Sequence, residues 1–504
     1  MCGIFAAIGG EISPKKFRDA LDIMDHRGPD FTGEFYNDFV YLGHKRLSIL
    51  DLNPRSNQPF TIDSYKMIFN GEIYNFKELI KEHKLEVSTS SDTEVLLKLY
   101  LKYGQRFLKY LNGMFAIVIY NTETKDYFIA RDRLGIKPIY IAEINNSLII
   151  SSEIAPILKL GSFKQSEFAV RQYRKLRMTV NGDTLYDGIR FLEPGHFVTN
   201  KGKHKYWELN IEDKKAPEDE ELKWLIENAV ALRERSDVPQ GTYLSGGLDS
   251  TIITYLSNPK HTWTVGFDEL NEFEWGQLAA SHLGCEHHEI KVTPEEFIET
   301  AKWMIERRKE PLSVPNEVLI YLMTKQVKTK NTVVLSGEGA DELFWGYDRI
   351  FKWAESSGKF KMHEFEQHYC YGSHEDYEVL DYALSKVPQG NALQRVGYYF
   401  QTTHLQGLLR RLDNSTMLCS VEGRVPFVDH RLVEMMAGTP FEWRMGNSFK
   451  EPLKRNFNNI LPQEIVNRKK IGFPVPLKSI FKESEGKTAM DNWLSFNLET
   501  INQK

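Results

Sequence analysis

The chain opens MCGIFAAIGG (residues 1–10), which puts a thiol directly after the initiator residue and ahead of a glycine and a short apolar run. An export signal would carry basic residues before a longer apolar stretch, and neither is present, so the run is expected to be folded structure. A small second residue favours removal of Met1, which would leave a free α-amine beside the Cys2 thiol. The thiolate is the nucleophilic form of cysteine, and an α-amine with an ordinary pKa of about 7.7–8.0 can serve as its base near neutral pH. One residue would then supply both nucleophile and base. Taken alone, Cys2 reads more simply as a small buried residue of a first strand, and its surroundings have to decide between the two.

At 504 residues the natural expectation is two to three domains. Hydrophobic residues at 41% and aromatics at 12% supply enough apolar surface for sizeable cores. The net charge of −5 is small for this length and the charges are interspersed, so neither a nucleic-acid footprint nor a membrane-binding face is expected. The apolar stretches at 114–120 and 141–150 are too short or too polar to span a bilayer. Four scattered cysteines, Cys2, Cys285, Cys370 and Cys419, lack CxxC spacing, which argues against a zinc ribbon or a disulfide framework and for a reducing, cytoplasmic compartment.

Outward from the opening, the first two hundred residues carry short apolar or alternating runs such as MFAIVIY, DYFIAR and SLIIS between turn signals, the pattern of a β-rich domain. A helix is expected over 93–103, with apolar residues at 95, 96, 99, 100 and 103 on one face and capping-box spacing between Ser91 and Glu94. The polar run NIEDKKAPEDEELK reads as a linker, which divides the chain into 1–206, a linker 207–217, and 218–504. Beyond it, short buried-type strands (GTYL, TWTVGF, TVVLS) alternate with helical segments such as EEFIETAKWMIERR, as in a parallel sheet flanked by helices.

Five stretches follow Cys2 in order: HRGPD (26–30), GHKRLSILD (43–51), FNGEIYN (69–75), SSDTEV (90–95) and RDRLGIKPIY (131–140). Together they resemble the class II glutamine amidotransferases, which implies an N-terminal-nucleophile αββα sandwich that hydrolyses glutamine to glutamate and ammonia. By that resemblance Arg46 pairs with the glutamine α-carboxylate, a bidentate geometry suited to guanidinium, and Glu72 with Asp92 holds its α-ammonium. Asn70 and the Gly71 backbone N–H form an oxyanion hole, where each donor can contribute roughly 3–4 kcal/mol to the transition state. Taken singly, Asp92 beside Ser91 also reads as a helix cap, Arg46 as a surface cation and Asn-Gly at 70–71 as a hairpin turn.

The stretch YLSGGLDST (243–251) follows a strand and opens a helix, so glycine amides and a helix N-terminus face a potential phosphate. It lacks the Gly-Lys-Ser/Thr ending of a Walker loop and is similar to the pyrophosphate loop of the ATP pyrophosphatases, which implies cleavage between the α and β phosphates. SGEGADELFWGY (336–347) follows the next strand, so Asp249 and Asp341 would stand at the carboxyl edge of a parallel sheet. Two carboxylates beside phosphates suit Mg²⁺, although ADE also reads as a solvated acidic turn.

With GIRFLEPGHF (188–197), MLCSVEGRVPFVDHRL (417–432) and the stretch 448–476, the chain resembles the glutamine-hydrolysing asparagine synthetases over nearly its whole length. The implied fold is an α+β αββα sandwich followed by an α/β parallel-sheet ATP-pyrophosphatase domain. The resemblance assigns Leu244, Ser245, Gly246, Gly247, Asp249 and Ser250 to ATP, with Val265 against the adenine and Ser336 and Gly337 completing the site. It gives Glu338 to forming and using an acyl-adenylate, Lys450 to charge developing during adenylation, and Asp249 and Asp341 to Mg²⁺. The substrates implied are glutamine, aspartate and ATP, and a homodimer is what the family suggests. Three positions depart from the pattern: Trp345 replaces a glycine, Lys454 an arginine, and EPLSVPNEVLIYLMTK (310–325) differs beside the acceptor site. They leave open an acceptor other than aspartate, such as a uronic-acid sugar. A third reading, a binding protein that has lost catalysis, is disfavoured because Cys2, Asp249, Glu338, Asp341 and Lys450 are all present.

Overall fold

A computed structural model of the chain describes residues 2–10, 12–371, 375–446, 448–469, 472–483 and 486–503. Met1, whose removal would free the Cys2 amine, lies outside the described residues, as do Lys470 and Ile471 of the 448–476 stretch.

The opening run is the strand Gly3–Ile8, buried along its whole length. It pairs antiparallel with Val40–Arg46 on one side and Ser147–Ser151 on the other. Side chains alternate across a strand, so an uninterrupted apolar run needs cover on both faces. Ile4, Ala6 and Ile8 meet Ile68, Ala116 and Val118 of a second sheet, while Phe5 and Ala7 join the cluster containing Phe17 and Leu21 of the helix Pro14–Leu21. The second sheet turns its other face, Met67, Phe69, Ile117 and Ile119, toward Val95, Leu96 and Leu99 of the helix Asp92–Tyr103. Two six-stranded sheets between helical layers give the αββα sandwich.

The helix Asp92–Tyr103 begins one residue earlier than its periodicity suggests, and its cap differs from the expected box. Ser91 Oγ accepts from Thr93 N at 3.1 Å, but Glu94 turns away to take the amides of Ser88 (2.9 Å) and Thr89 (2.7 Å). The loop folded beneath the helix offers two free N–H groups, which outweigh the single one at the cap.

Residues 206–218 run without helix or strand into the helix Asp219–Arg233. The second part is built on a five-stranded parallel sheet ordered Glu286–Lys291, His261–Gly266, Gln240–Tyr243, Val333–Leu335, Glu422–Arg424. Its three central strands are short and buried because helices cover both faces. Polar pairs join the two parts: buried Asp413 accepts from Arg27 (3.0 Å) and Lys137 (3.2 Å), Tyr140 Oη donates to Glu310 (2.7 Å), and Asn112 Nδ2 donates to Asp429 (3.0 Å). Breaking one partner of a buried pair is far more damaging than the pair is stabilising, so these contacts fix the relative placement of the parts. Among the described residues no helix is long and apolar enough to cross a membrane.

Candidate active sites

Cys2 begins the first strand and is buried, 9% exposed. Its backbone N donates to Asn70 Oδ1 at 3.0 Å, and its carbonyl accepts from Arg27 Nε at 3.1 Å. Arg27 of the HRGPD stretch is fully buried and is itself held by Glu153 (3.1 Å) and Asp413 (3.0 Å). The nucleophile candidate is thus positioned through its backbone, and its sulfur contacts the Leu47 carbonyl at 4.0 Å. Burial pushes the Cys2 thiol up, against the opposing pull of the Leu47 carbonyl contact and the Arg46 charge.

Asn70 lies near the end of the strand Tyr65–Ile73, and its Nδ2 is a buried donor with no hydrogen-bond partner. Buried amides are almost always satisfied, so a free donor beside a thiol is an opening for a ligand oxygen. Gly71 follows, facing Phe115 of the neighbouring strand, and a Cβ there would stand 2.0 Å from the Met114 carbonyl. Only glycine fits this approach. Arg46, at the end of Val40–Arg46, is 5% exposed and is cradled by the Asp51 carbonyl (2.5 Å), the Asn53 carbonyl (3.1 Å) and Asn57 Oδ1 (2.6 Å). Among the described residues no carboxylate lies within ion-pair distance of it, so its charge is met by dipoles alone.

Glu72 and Asp92 are both buried, and burial dominates both: Glu72 is pushed well above the carboxylate range and Asp92 to about 6, despite the Ile73 amide donating to Asp92 at 2.8 Å. Two residues of the second part join them. Glu422, on the edge strand Glu422–Arg424, adds negative charge to both, and Arg424 lies 3.7 Å from Glu72 Oε1 while donating to Glu422 at 2.6 Å. The N-terminal site therefore has three carboxylates to one adjacent guanidinium.

The second site is a cavity of about 510 Å³ beyond the carboxyl ends of the parallel strands. Leu244, Ser245, Gly247, Asp249 and Ser250 line one side, and Ser336, Gly337, Glu338 and Asp341 another. Gly246 turns the loop at φ 68°, where a Cβ would meet the Trp275 backbone at 2.3 Å. Val265 is buried in its strand, and Trp263 and Thr264 reach the cavity beside it. Lys450 Nζ contacts Asp249, and Asp341 Oδ1 at 2.5 Å. Burial would lower this ammonium, but the two aspartates hold it above its ordinary value. Gly346 is obligatory here, since a Cβ would stand 1.9 Å from Asp341 Oδ1. Glu338 is paired with Arg411 at 2.5 Å, which also donates to Asn316 at 2.9 Å.

The glutamine amidotransferase domain family matches residues 1–207, and the asparagine synthase family matches residues 221–500. The chain belongs to the asparagine synthase family. The glutamine-hydrolysing asparagine synthetase 1 of Bacillus subtilis (strain 168) is 30% identical, aligned over 93% of this chain and 84% of that protein. Asparagine synthetase B of Escherichia coli (strain K12), also glutamine-hydrolysing, is 29% identical over 94% and 82%. Amidase chry2 of Gibberella zeae is 28% identical over 95% and 89%.

For an asparagine synthase family member, the departures fall on different walls. Trp345 is buried behind the second site, its ring 4.9 Å from Phe351 and 4.1 Å from the Arg444 guanidinium, and it does not line the cavity. Lys454 does line it, donating to Ser448 Oγ at 3.2 Å, and so do Asn316, Ile320 and Met323 of the 310–325 stretch. Sequence reasoning missed Arg27, Glu422, Arg424 and Arg411. The first three lie inside matched stretches, which was the available signal. Arg411, on the helix Leu405–Met417, gave none.

Proposed function

We propose that residues 1–206 hydrolyse glutamine and that residues 218–504, after the linker 207–217, use the ammonia to amidate the β-carboxylate of aspartate through an acyl-AMP. After Met1 is removed, the Cys2 amine takes the thiol proton. The sulfur then attacks the glutamine carboxamide carbon, and the proton passes to the departing ammonia. Water hydrolyses the thioester to glutamate. Asn70 Nδ2 and the Gly71 N–H stabilise the oxyanion, Arg46 binds the α-carboxylate, and Glu72 with Asp92 holds the α-ammonium.

In the second site the loop Leu244, Ser245, Gly246, Gly247, Asp249 and Ser250, with Ser336 and Gly337, holds ATP, and Val265 backs the adenine. The acceptor carboxylate attacks the α-phosphorus and pyrophosphate leaves; ammonia then attacks the acyl carbon and AMP leaves. Asp249 and Asp341 are hard oxygen donors that converge on Lys450 from two sides of the cavity, a set that fits Mg²⁺. When bound, that ion would neutralise phosphate charge. Lys450 supplies fixed positive charge between the two aspartates, and Glu338, held by Arg411, orients the acyl group. Ammonia must pass between the sites unprotonated, and the packed joint between the two parts would exclude water from its route.

What supports this reading above all is that Cys2 with Asn70, and Lys450 with Asp249 and Asp341, assemble in one chain from residues far apart in sequence. The test is to supply ATP, Mg²⁺, glutamine and aspartate and measure asparagine, AMP and pyrophosphate in equal amounts. Glutamate without asparagine would reject aspartate. Another acceptor carboxylate, such as a uronic-acid sugar, is the second reading. It is favoured by the divergent wall of Asn316, Ile320 and Met323 and by similarity to a relative named as an amidase.

A further inference from the structure

At the amino ends of two neighbouring strands of the parallel sheet, His261 opens the strand His261–Gly266 and Glu286 opens the edge strand Glu286–Lys291. The two are direct partners in the ladder. His288, two residues on, projects from the same face as Glu286 because strand side chains alternate. The result is three ligand-type side chains at one point: His261 Nδ1 to His288 Nε2 is 3.3 Å, His261 Nδ1 to Glu286 3.4 Å, and His288 Nε2 to Glu286 3.5 Å. Among the described residues this is the one group of three such side chains whose ligand atoms converge.

The spacing distinguishes two explanations. A charge-assisted hydrogen bond between imidazolium and carboxylate closes to about 2.7–2.9 Å, and all three separations are longer. Ligand atoms bound at about 2.0–2.1 Å to a tetrahedral Zn²⁺-type ion stand about 3.3–3.4 Å apart, which is the separation of the two imidazole nitrogens, while Glu286 turns Oε2 toward His261 and Oε1 toward His288. Lys260 and Lys330 border the group. Trp263 stacks on His288 with ring centroids 5.4 Å apart and fixes the ring's orientation. Cys285 packs instead with Leu244, Ala279 and Ala280.

We propose that His261, Glu286 and His288 bind a first-row transition cation of the Zn²⁺ class, with water in the fourth position, and that this ion clips the edge strand to its neighbour. Nitrogen donors select such ions over Mg²⁺, so the site is separate in chemistry as well as place from Asp249 and Asp341. The test uses the full chain after chelator treatment, titrated with Co²⁺ in excess Mg²⁺. The wild type should take up one Co²⁺ with tetrahedral ligand-field absorption, no thiolate charge-transfer band, and quenching of tryptophan fluorescence. Glu286→Gln, at a half-exposed position, should weaken that binding at least about tenfold, and so should His288→Ala. Both variants are folded if their pyrophosphate release with ATP and ammonium matches the wild type. Equal Co²⁺ uptake by wild type and both variants, no uptake by the wild type, or a thiolate band would each overturn the proposal.

Discussion

Each of the two candidate sites holds a cluster of acids, and the two clusters meet their charge in different ways. Around Glu72, two further carboxylates share the neighbourhood with one adjacent guanidinium, and burial raises Glu72 and Asp92 far enough to blunt their charge. Around Asp249 and Asp341, Lys450 sits in direct contact with both. In the first cluster burial and the charge of Glu422 hold the acids up. In the second, one lysine already bridges the two aspartates, so a ligand entering there would have to redistribute contacts that already exist. A site short of charge is tuned by pH, whereas one with its charges paired is tuned by whichever ligand displaces the pair.

The sharpest way to break this division is Cys2→Ala. Glutamine-dependent amide formation should fall by roughly 10⁴-fold or more, as loss of a covalent nucleophile does, while synthesis from ammonium persists. Parallel loss of both activities in folded protein would show that the clusters do not serve separate reactions. Next in size, Asp341→Asn should lower pyrophosphate release by about 10³-fold and leave glutamate release intact, because it removes one of the two acids facing Lys450. Undiminished pyrophosphate release would detach Asp341 from phosphate chemistry. Asn70→Ala should reduce the glutaminase turnover about 10²-fold with little change in ammonium-dependent synthesis, the effect of deleting one oxyanion donor.

Within each cluster, what could be read from the chain depended on where the residues came from. Gly3–Ile8 was legible because an apolar run with no polar alternation demands cover on both faces; Asn70, Gly71 and Glu72 were assigned from the family resemblance, and the fold sets them together near the end of one strand. Val265 was assigned from the family resemblance; it is buried in its strand, and Trp263 and Thr264 line the cavity beside it. Glu422 and Arg424 were illegible as members of the N-terminal site, since a strand at the far edge of the other sheet delivers them. The Glu94 cap failed because only the fold brings the amides of Ser88 and Thr89 underneath. Glu286 and His288 sit on a charged strand that lacks the apolar pattern, because an edge strand is covered less completely than a central one.

The smallest expected effect bears most directly on the contrast between the two clusters. Asp92 holds its proton up to about pH 6 in the folded protein and only to about 3.9 when unfolded. Between those values the native state binds more protons, so the Asp92 contribution is fully present below about pH 4 and is lost as pH rises through 6. About two pH units correspond to ~3 kcal/mol. In urea titrations of ligand-free protein, the wild type should lose stability from pH 4 to 6 relative to Asp92→Asn, and parallel profiles would refute the assignment. Glutamine binding carries the opposite sign, because the α-ammonium needs the ionised acid. The KM for glutamine should fall about tenfold per unit as pH rises toward 6, and Asp92→Asn should lose that inflection. Glu422→Gln should move it to lower pH, since Glu422 is one of the charges that raises Asp92. The pyrophosphate-releasing step, whose aspartates already face Lys450, should show no such inflection, and finding one there would erase the difference between the clusters.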